Sequence, residues 1–487
     1  MKLSVLHSLF DSAALGALAP LMALGIGALL VLLAGLTPLS KAARGVLVAA
    51  TLIVAAALHG RILLAEQVPG VVLDGVFVAD RATAMWGLIF IAGVAVTWLF
   101  SRNYYVEDAS HQNEHDVLLI ATAVGMSMMA GARDLIVFFI GLELLSIPLY
   151  ALAAFRRNRT KSVEAGLKYF LLGAFAAGFF LYGAALVYAA SGTLSLDVFA
   201  DPAQRARVLE SPMALVGVAM LAASVFFKVS VFPFHVWVPD VYEGSPTPIT
   251  GLMATGTKAA AFAFLLNALL ALPTGTAAGL AAIALLTMAV GNLGALMQQD
   301  VKRMLAYSGI AHAGVVLLAI AGAVAGDPQP HGALQAALFY MAAYVATAGG
   351  AFGVLALLES DGERMTTLDG LRGLGQRRPY LAAALTVFML SLGGIPATGG
   401  FLGKYLVFSV AVRAEMIPAA IVGVLLSVIA LGYYLRVIIA MWMQAPDENS
   451  PLASTKPIAI SARLASTACV ALVLLMGLLP RWFLEHM

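Results

Sequence analysis

FKVSVFPFHVWVPDVYEGSPTPIT, residues 227–250, puts a lysine, a proline break and two carboxylates into a chain that is otherwise strongly apolar. Pro233 removes an amide and breaks the helical pattern. Lys228 precedes it by five residues, about 7–8 Å of helix, so its ammonium lies near the break. Broken helices persist at membrane depth only where protein or water satisfies the freed backbone groups. The stretch therefore reads as an interrupted transmembrane span beside a polar interior. Asp240 and Glu243 follow in DVYEGSP, which reads as a solvated loop.

The rest of the chain fits that setting. Of 487 residues, 61% are hydrophobic and 11% charged, with a mean hydropathy of +0.94. Soluble domains carry about 25% charged residues, so this is an integral membrane protein. A formal net charge of +2 gives no argument for nucleic acid or any strongly charged partner. The single Cys469, inside ACVALVLLMGLL, excludes a disulfide framework and any zinc or iron–sulfur site built from this chain's cysteines. No nucleotide fingerprint follows a strand pattern, and strand patterns are lacking. The chain is thus expected to hold no redox centre. Its N-terminus runs into a full span without a convincing cleavage site and reads as a first helix, not a signal peptide.

At about 20 apolar residues per crossing, the sequence accommodates about fourteen spans joined by short loops, with no separate soluble domain. A second interruption lies in the stretch from residue 380 to 412, about 50 Å as one straight helix and too long for a bilayer. GGIPATGG sits at its middle, where Pro396 and the glycines favour non-helical backbone. Paired broken segments in two halves of a chain point to a transport fold with inverted repeats. Basic residues concentrate at Lys41 and Arg44, at Arg156–Lys161, at Lys302 and Arg303, and from Arg364 to Arg378. By the positive-inside rule those loops are cytoplasmic, and an even number of spans leaves both termini outside.

Charges inside spans cost roughly 2.5–3.5 kcal/mol each at the helix centre. Yet Lys168, Lys228, Lys258 and Lys404 fall in hydrophobic stretches, as does Glu143 in GLELLSIPLYALAAF. Such residues point to passage of an ion or proton. A lysine whose carboxylate partner can approach or withdraw is a proton switch, and Glu143 is the natural partner for Lys228; the plainer alternative is a static ion pair that fixes helix packing. Glu164 and Lys168 form an i,i+4 pair nearer a helix end, where Lys168 can snorkel. His312 in AYSGIAHAG is an intramembrane histidine, suited to relaying protons or to packing with hydrogen bonds. Tyr307, Ser308, Tyr340 and Tyr344 could support a water chain, or simply pack. His235 could relay or anchor the chain after its proline, and Arg436 reads as a helix-end anchor.

Seven blocks together resemble the antiporter-like subunits of respiratory complex I, the proton-pumping NADH:quinone oxidoreductase. They are GLELLSIPLYALAAF, EAGLKYFLLGAF, FKVSVFPFHVWVPDVYEGSPTPIT, TKAAAF, DVKRMLAYSGIAHAG, ALFYMAAY and GGIPATGGFLGKY, within residues 80–445. The PDVYEGSPTPIT loop resembles the subunit N branch more than its sisters, position 404 is lysine where subunit M has glutamate, and no long lateral helix like that of subunit L is expected. The resemblance implies an all-α fold of fourteen transmembrane helices, with spans four to eight and nine to thirteen as inverted repeats. It divides the chain into N-terminal helices (1–110), a first repeat (111–273), a second repeat (274–445) and a C-terminal helix (446–487).

It further implies Glu143 and Lys228 as a switching pair, Lys258 as central proton carrier and Lys404 toward the exit. Glu164, Lys168, His235, His312 and Tyr307 also fall on motif positions. The implied partners are the other membrane subunits, M and the K side, and lipids. NAD, FMN, iron–sulfur clusters and quinone are expected elsewhere in the complex, in a bacterial inner membrane. A subunit of a multisubunit sodium/proton antiporter is the rival transport reading, and a purely structural membrane scaffold the rival of another class. This sequence departs from the family at Gly309, where serine is common, and at Ala397, where proline is common.

Overall fold

A computed structural model describes residues 12–104, 112–269, 272–329, 331–359, 366–446 and 458–485. Arg364, counted above among the basic loop residues, lies outside them. The long helices are α1 (Ser12–Gly35), α2 (Lys41–Leu64), α3 (Arg81–Tyr104), α4 (Gln112–Gly131), α5 (Leu135–Ala153) and α6 (Thr160–Ser191). They continue through α7 (Pro212–Val229), the short α8 (Val238–Gly244), α9 (Thr247–Ala254), α10 (Gly256–Leu269) and α11 (Ala277–Leu296). The remainder are α12 (Val301–Ala325), α13 (Gly332–Glu359), α14 (Pro379–Gly393), α15 (Gly399–Arg413), α16 (Ile417–Met443) and α17 (Ile460–Leu478). Twelve helical segments among the described residues are long and apolar enough to cross a membrane, with α9 and α10 counted as one. One feature departs from the strand-free expectation. Gly70–Val72 and Phe77–Ala79 pair antiparallel, turning through Leu73 and Asp74 at φ 57° and 54°.

Apolar residues cover nearly all faces of these helices, so burial rather than periodicity separates core from rim. In α12 and α13, 89% of the most apolar window is buried, against 33% in α1, α2 and α6 and 28% in α16. The central pair thus packs protein on every side, while the rim helices present their apolar surface outward as lipid-facing helices do. Helix α12 packs on α11, α15 and α8, and α13 on α15, α3 and α9. Close approach between α11 and α12 requires glycine at 291, where a Cβ would stand 2.5 Å from the Ala311 amide nitrogen.

The breaks fall close to where the sequence put them, with two differences. Helix α7 ends at Val229 and turns through Ser230 in the left-handed region at φ 65°, three residues before Pro233. The stretch read as a solvated loop is helix α8. The second break matches GGIPATGG: α14 stops at a left-handed Gly394 and α15 starts after Thr398. A third break went unforeseen. Thr255 interrupts α9 and α10 at φ −112°, ψ −74°, three residues before Lys258.

Candidate functional site: a buried line of lysines

Lys228, Lys258 and Lys404 are 5%, 1% and 7% exposed, and each stands within a few residues of a helix break or across from one. Lys228 closes α7. Its Nζ donates to Ser146 Oγ at 2.7 Å and to Tyr169 OH at 3.1 Å. The Tyr169 ring lies under the ammonium at 5.3 Å and stacks on Trp237 beyond the break. Glu143 is half-buried on α5 and does not touch Lys228. The static ion pair weighed as the plainer alternative is not formed here; Ser146, one turn along the same face of α5, bonds the lysine instead. Glu143 and Lys228 still attract electrostatically.

Lys258 begins α10 just past the Thr255 break, and its Nζ donates to the Gly309 carbonyl oxygen at 2.6 Å. Gly309 belongs to α12, as does His312 one turn later. The absence of a side chain at 309 matters, because a Cβ there would stand 3.1 Å from Tyr344 OH and 3.3 Å from Lys258 Nζ. His312 Nδ1 is bonded to Tyr340 OH and Nε2 to Tyr434 OH at 3.1 Å, while the Tyr344 ring packs against the imidazole with centroids 4.8 Å apart. Tyr434 OH also meets Ser308 Oγ. His312 lies within electrostatic reach of both Lys258 and Lys404.

Lys404 reaches back from α15 to the end of α14, donating to the carbonyl oxygens of Leu392 at 2.8 Å and Gly393 at 3.2 Å. The last carbonyls of a helix lack intrahelical partners and carry its negative dipole end, so a cation is favoured there. The GGIPATGG break therefore exposes main-chain acceptors that hold the lysine. The apolar core thus holds three amines, an imidazole and several phenols, groups that can each bind and release a proton.

The remaining candidates divide. Glu164 and Lys168 make the i,i+4 ion pair, at 2.7 Å, but the Lys168 side chain is 44% exposed. Lys168 lies near the helix end, where this face of α6 meets α8 at the polar end of the molecule. There Asp240 contacts Lys168 at 3.4 Å and Arg303 at 2.9 Å, and Glu243 contacts Arg303 at 2.8 Å and Lys161 at 3.6 Å. The α8 carboxylates are thus paired. Burial tends to raise the Asp240 carboxyl, but hydrogen bonds from Arg303 and Lys168 hold it below the usual carboxylate range.

His235 sits half-buried between α7 and α8, stacked on Phe232, with Nδ1 buried and unbonded. Tyr307 packs its ring on Gly294. Arg436 does hold a helix end, donating through Nη1 to the Leu296 carbonyl at 2.6 Å where α11 stops. Ser146, Tyr169 and Tyr434 were not singled out from sequence. Their pairing with charges on other helices is long-range, and each sits in apolar text typical of packing.

Fold and site together define a polytopic membrane protein whose core holds a line of protonatable side chains. The family model for NADH:quinone oxidoreductase/Mrp antiporter transmembrane proteins matches residues 132–430. NADH-quinone oxidoreductase subunit N 2 of Roseiflexus castenholzii is 43% identical over 415 residues, covering 84% of this chain and 82% of its own. A chain of respiratory complex I from Thermus thermophilus superposes with a TM-score of 0.80 at 36% identity, over 96% of this chain and 98% of that one. A chain of the Mrp complex from a Dietzia species, at 20% identity and a TM-score of 0.76, shares the fold over 100% of this chain and 96% of its own. The chain belongs to the NADH-quinone oxidoreductase subunit N family.

Proposed function

We propose that the chain is the proton-translocating subunit N of a bacterial NADH:quinone oxidoreductase, moving protons along Glu143, Lys228, Lys258, His312 and Lys404. The observation that carries this reading is the set of three buried ammonium groups, each beside an interrupted helix. Ser146 and Tyr169 hold Lys228, and His312, bonded to Tyr340 and Tyr434, lies within electrostatic reach of Lys258 and Lys404. Transfer from Lys228 loads Lys258, and the imidazole of His312 carries the proton onward to Lys404. Glu143 and Lys228, the latter held by Ser146, form the gate that a neighbouring subunit perturbs electrostatically. Each proton moved against 100 mV costs about 2.3 kcal/mol. That work comes from quinone reduction in other subunits, which hold the NAD, FMN, iron–sulfur and quinone sites.

In this reading α4 and the broken pair α14–α15 complete fourteen spans. Residues 111–273 and 274–445 are inverted repeats, a pairing supported by one broken helix in each carrying a lysine. The outer helices 1–110 and 446–487 flank them. The protein lies in the inner membrane with both termini periplasmic, beside subunit M and the K side. His235, Glu164 and Lys168 serve at the margins of the path, and Tyr307 packs beside it.

The test is mild detergent purification of the tagged chain from its native membrane, assayed for NADH:quinone reductase activity. Co-purifying activity with flavin and iron–sulfur signals supports the reading. A complex without redox centres that exchanges sodium for protons in vesicles overturns it in favour of the antiporter reading, to which the shared Mrp fold lends its weight.

A further inference from the structure

One buried hydroxyl joins α13, α14 and α15 at the break beside Lys404. Ser391, in the last turn of α14, is fully buried and directly precedes Leu392 and Gly393, whose carbonyls hold the lysine. A serine or threonine within a helix commonly turns its hydroxyl back to the carbonyl four residues earlier. Thr386, on the same helix, does so with Ala382 at 2.7 Å. Ser391 turns outward instead. Its Oγ meets Thr347 Oγ1 on α13 at 3.1 Å and accepts from the Gly400 amide at 3.2 Å.

The Gly400 contact stands in for a missing cap. Gly400 is the second residue of α15, where the amide has no intrahelical acceptor and the N-cap side chain ordinarily supplies one. Thr398 occupies the N-cap position but makes no cap bond, because its hydroxyl goes to the Ile395 carbonyl at 2.7 Å. Ser391 supplies the acceptor from the other half of the broken helix. Glycine at 400 permits the approach, since a Cβ there would run into the Ser391 carbonyl oxygen.

Thr347 has one hydroxyl proton and gives it to the Ala343 carbonyl at 2.6 Å, so Ser391 donates to Thr347. The bonds run from Gly400 through Ser391 and Thr347 to a main-chain oxygen; they fasten helices and conduct no proton. Tyr340, Tyr344 and Thr347 follow at i, i+4 and i+7 on one face of α13. That face meets His312 through its two tyrosines and Ser391 through its threonine.

We propose that Ser391 is a positioning residue for Lys404: its hydroxyl, fastened between Thr347 and the Gly400 amide, fixes the carbonyls that receive the ammonium in register with the face of α13 that meets His312. The inference rests on the relay reading above and deepens it, naming what holds the acceptors of its last carrier. Helix ends fray because their last carbonyls lack partners. Without the hydroxyl the last turn of α14 is untied from both neighbours, and Lys404 holds its proton less tightly.

A serine that merely packs the break would affect stability alone, and two readouts separate the roles. Protons pumped per NADH oxidised are measured across pH in native membrane vesicles, with assembled complex quantified on native gels. The variants are Ser391→Ala, Thr347→Val, Thr347→Ser, Lys404→Arg and the double Ser391→Ala, Lys404→Arg. In the proposed role Ser391→Ala and Thr347→Val lower the ratio. They also move its alkaline fall to lower pH by roughly half a unit to one unit, a three- to tenfold weaker hold on the proton. Thr347→Ser, which keeps the hydroxyl, retains most of the wild-type ratio. The double variant matches Lys404→Arg alone, because Ser391 acts through Lys404.

A wild-type ratio in Lys404→Arg overturns Lys404 as a carrier, and the proposal with it. A lowered ratio in Lys404→Arg beside an unshifted profile in Ser391→Ala overturns the proposal and leaves the relay standing. A double variant that falls below Lys404→Arg does the same. If Ser391→Ala fails to assemble, Thr347→Val decides: an unshifted profile there overturns the proposal.

Discussion

Replacing Ser146 by alanine removes the hydroxyl that holds the Lys228 ammonium and leaves the α5 backbone intact. The Lys228 ammonium then loses its 2.7 Å bond and keeps only Tyr169 OH at 3.1 Å. A hydrogen bond to a charged group contributes about 1.5–3 kcal/mol. At about 1.4 kcal/mol per factor of ten, Lys228 holds its proton roughly tenfold to somewhat over a hundredfold less well. The Leu142 carbonyl that Ser146 Oγ also bonds stays within the helix ladder, and the Tyr150 phenol loses its Ser146 partner. Coupled NADH oxidation and vesicle acidification should therefore fall severalfold in Ser146→Ala at unchanged complex content, and Ser146→Thr should retain most of both. Wild-type turnover and pumping in Ser146→Ala would refute the argument that this hydroxyl carries the gate.

Two further outcomes follow from contacts of other side chains. Tyr434→Phe, which strips His312 and Ser308 of their shared phenol, should reduce pumping, whereas Tyr307→Phe should leave it unchanged; equal losses in both would place the proton path on the other face of α12. The Asp327–Arg413 pair is bidentate, at 2.9 and 2.8 Å, with the carboxylate side chain only 2% exposed. Burial works to raise the Asp327 carboxyl, but the Arg413 bonds hold it below the usual range. A depressed carboxyl stabilises the fold above its unfolded pKa of about 3.9 and loses that contribution as pH falls through the folded value. Asp327→Asn should accordingly lower the melting temperature at pH 7, and the gap to wild type should close below about pH 4 in thermal unfolding of the purified complex.

Much of the site was legible because charge in apolar text is rare and costly. Lys228, Lys258 and Lys404 stand out from the sequence on that ground alone, and the Pro396 block marks its own break. What stayed hidden lies in two kinds of place. The Thr255 break occurs in LMATGTKAAA, which holds no proline, so only the tertiary setting of Lys258 exposes it. Position 359, in ALLESDGER, looks like a helix giving way to a polar loop, yet packing from α3, α9 and α12 buries Glu359. The α8 helix was concealed by three prolines and a glycine in twelve residues, composition that normally signals a turn. Ser146 and Tyr434 could not be assigned because their partners lie far along the chain, on other helices.

The acceptors of Lys258 and Lys404 are main-chain carbonyls, and a carbonyl has no charge to give. Each proton that lands on one of these lysines therefore adds a whole unneutralised positive charge to the core. Repulsion between such charges grows as the surroundings become less polarisable. The sites cannot fill independently: a loaded lysine makes its neighbour harder to load, and unloading one invites the next. Occupancy along the line should alternate, as cars on a single track must leave a block free before the next train advances.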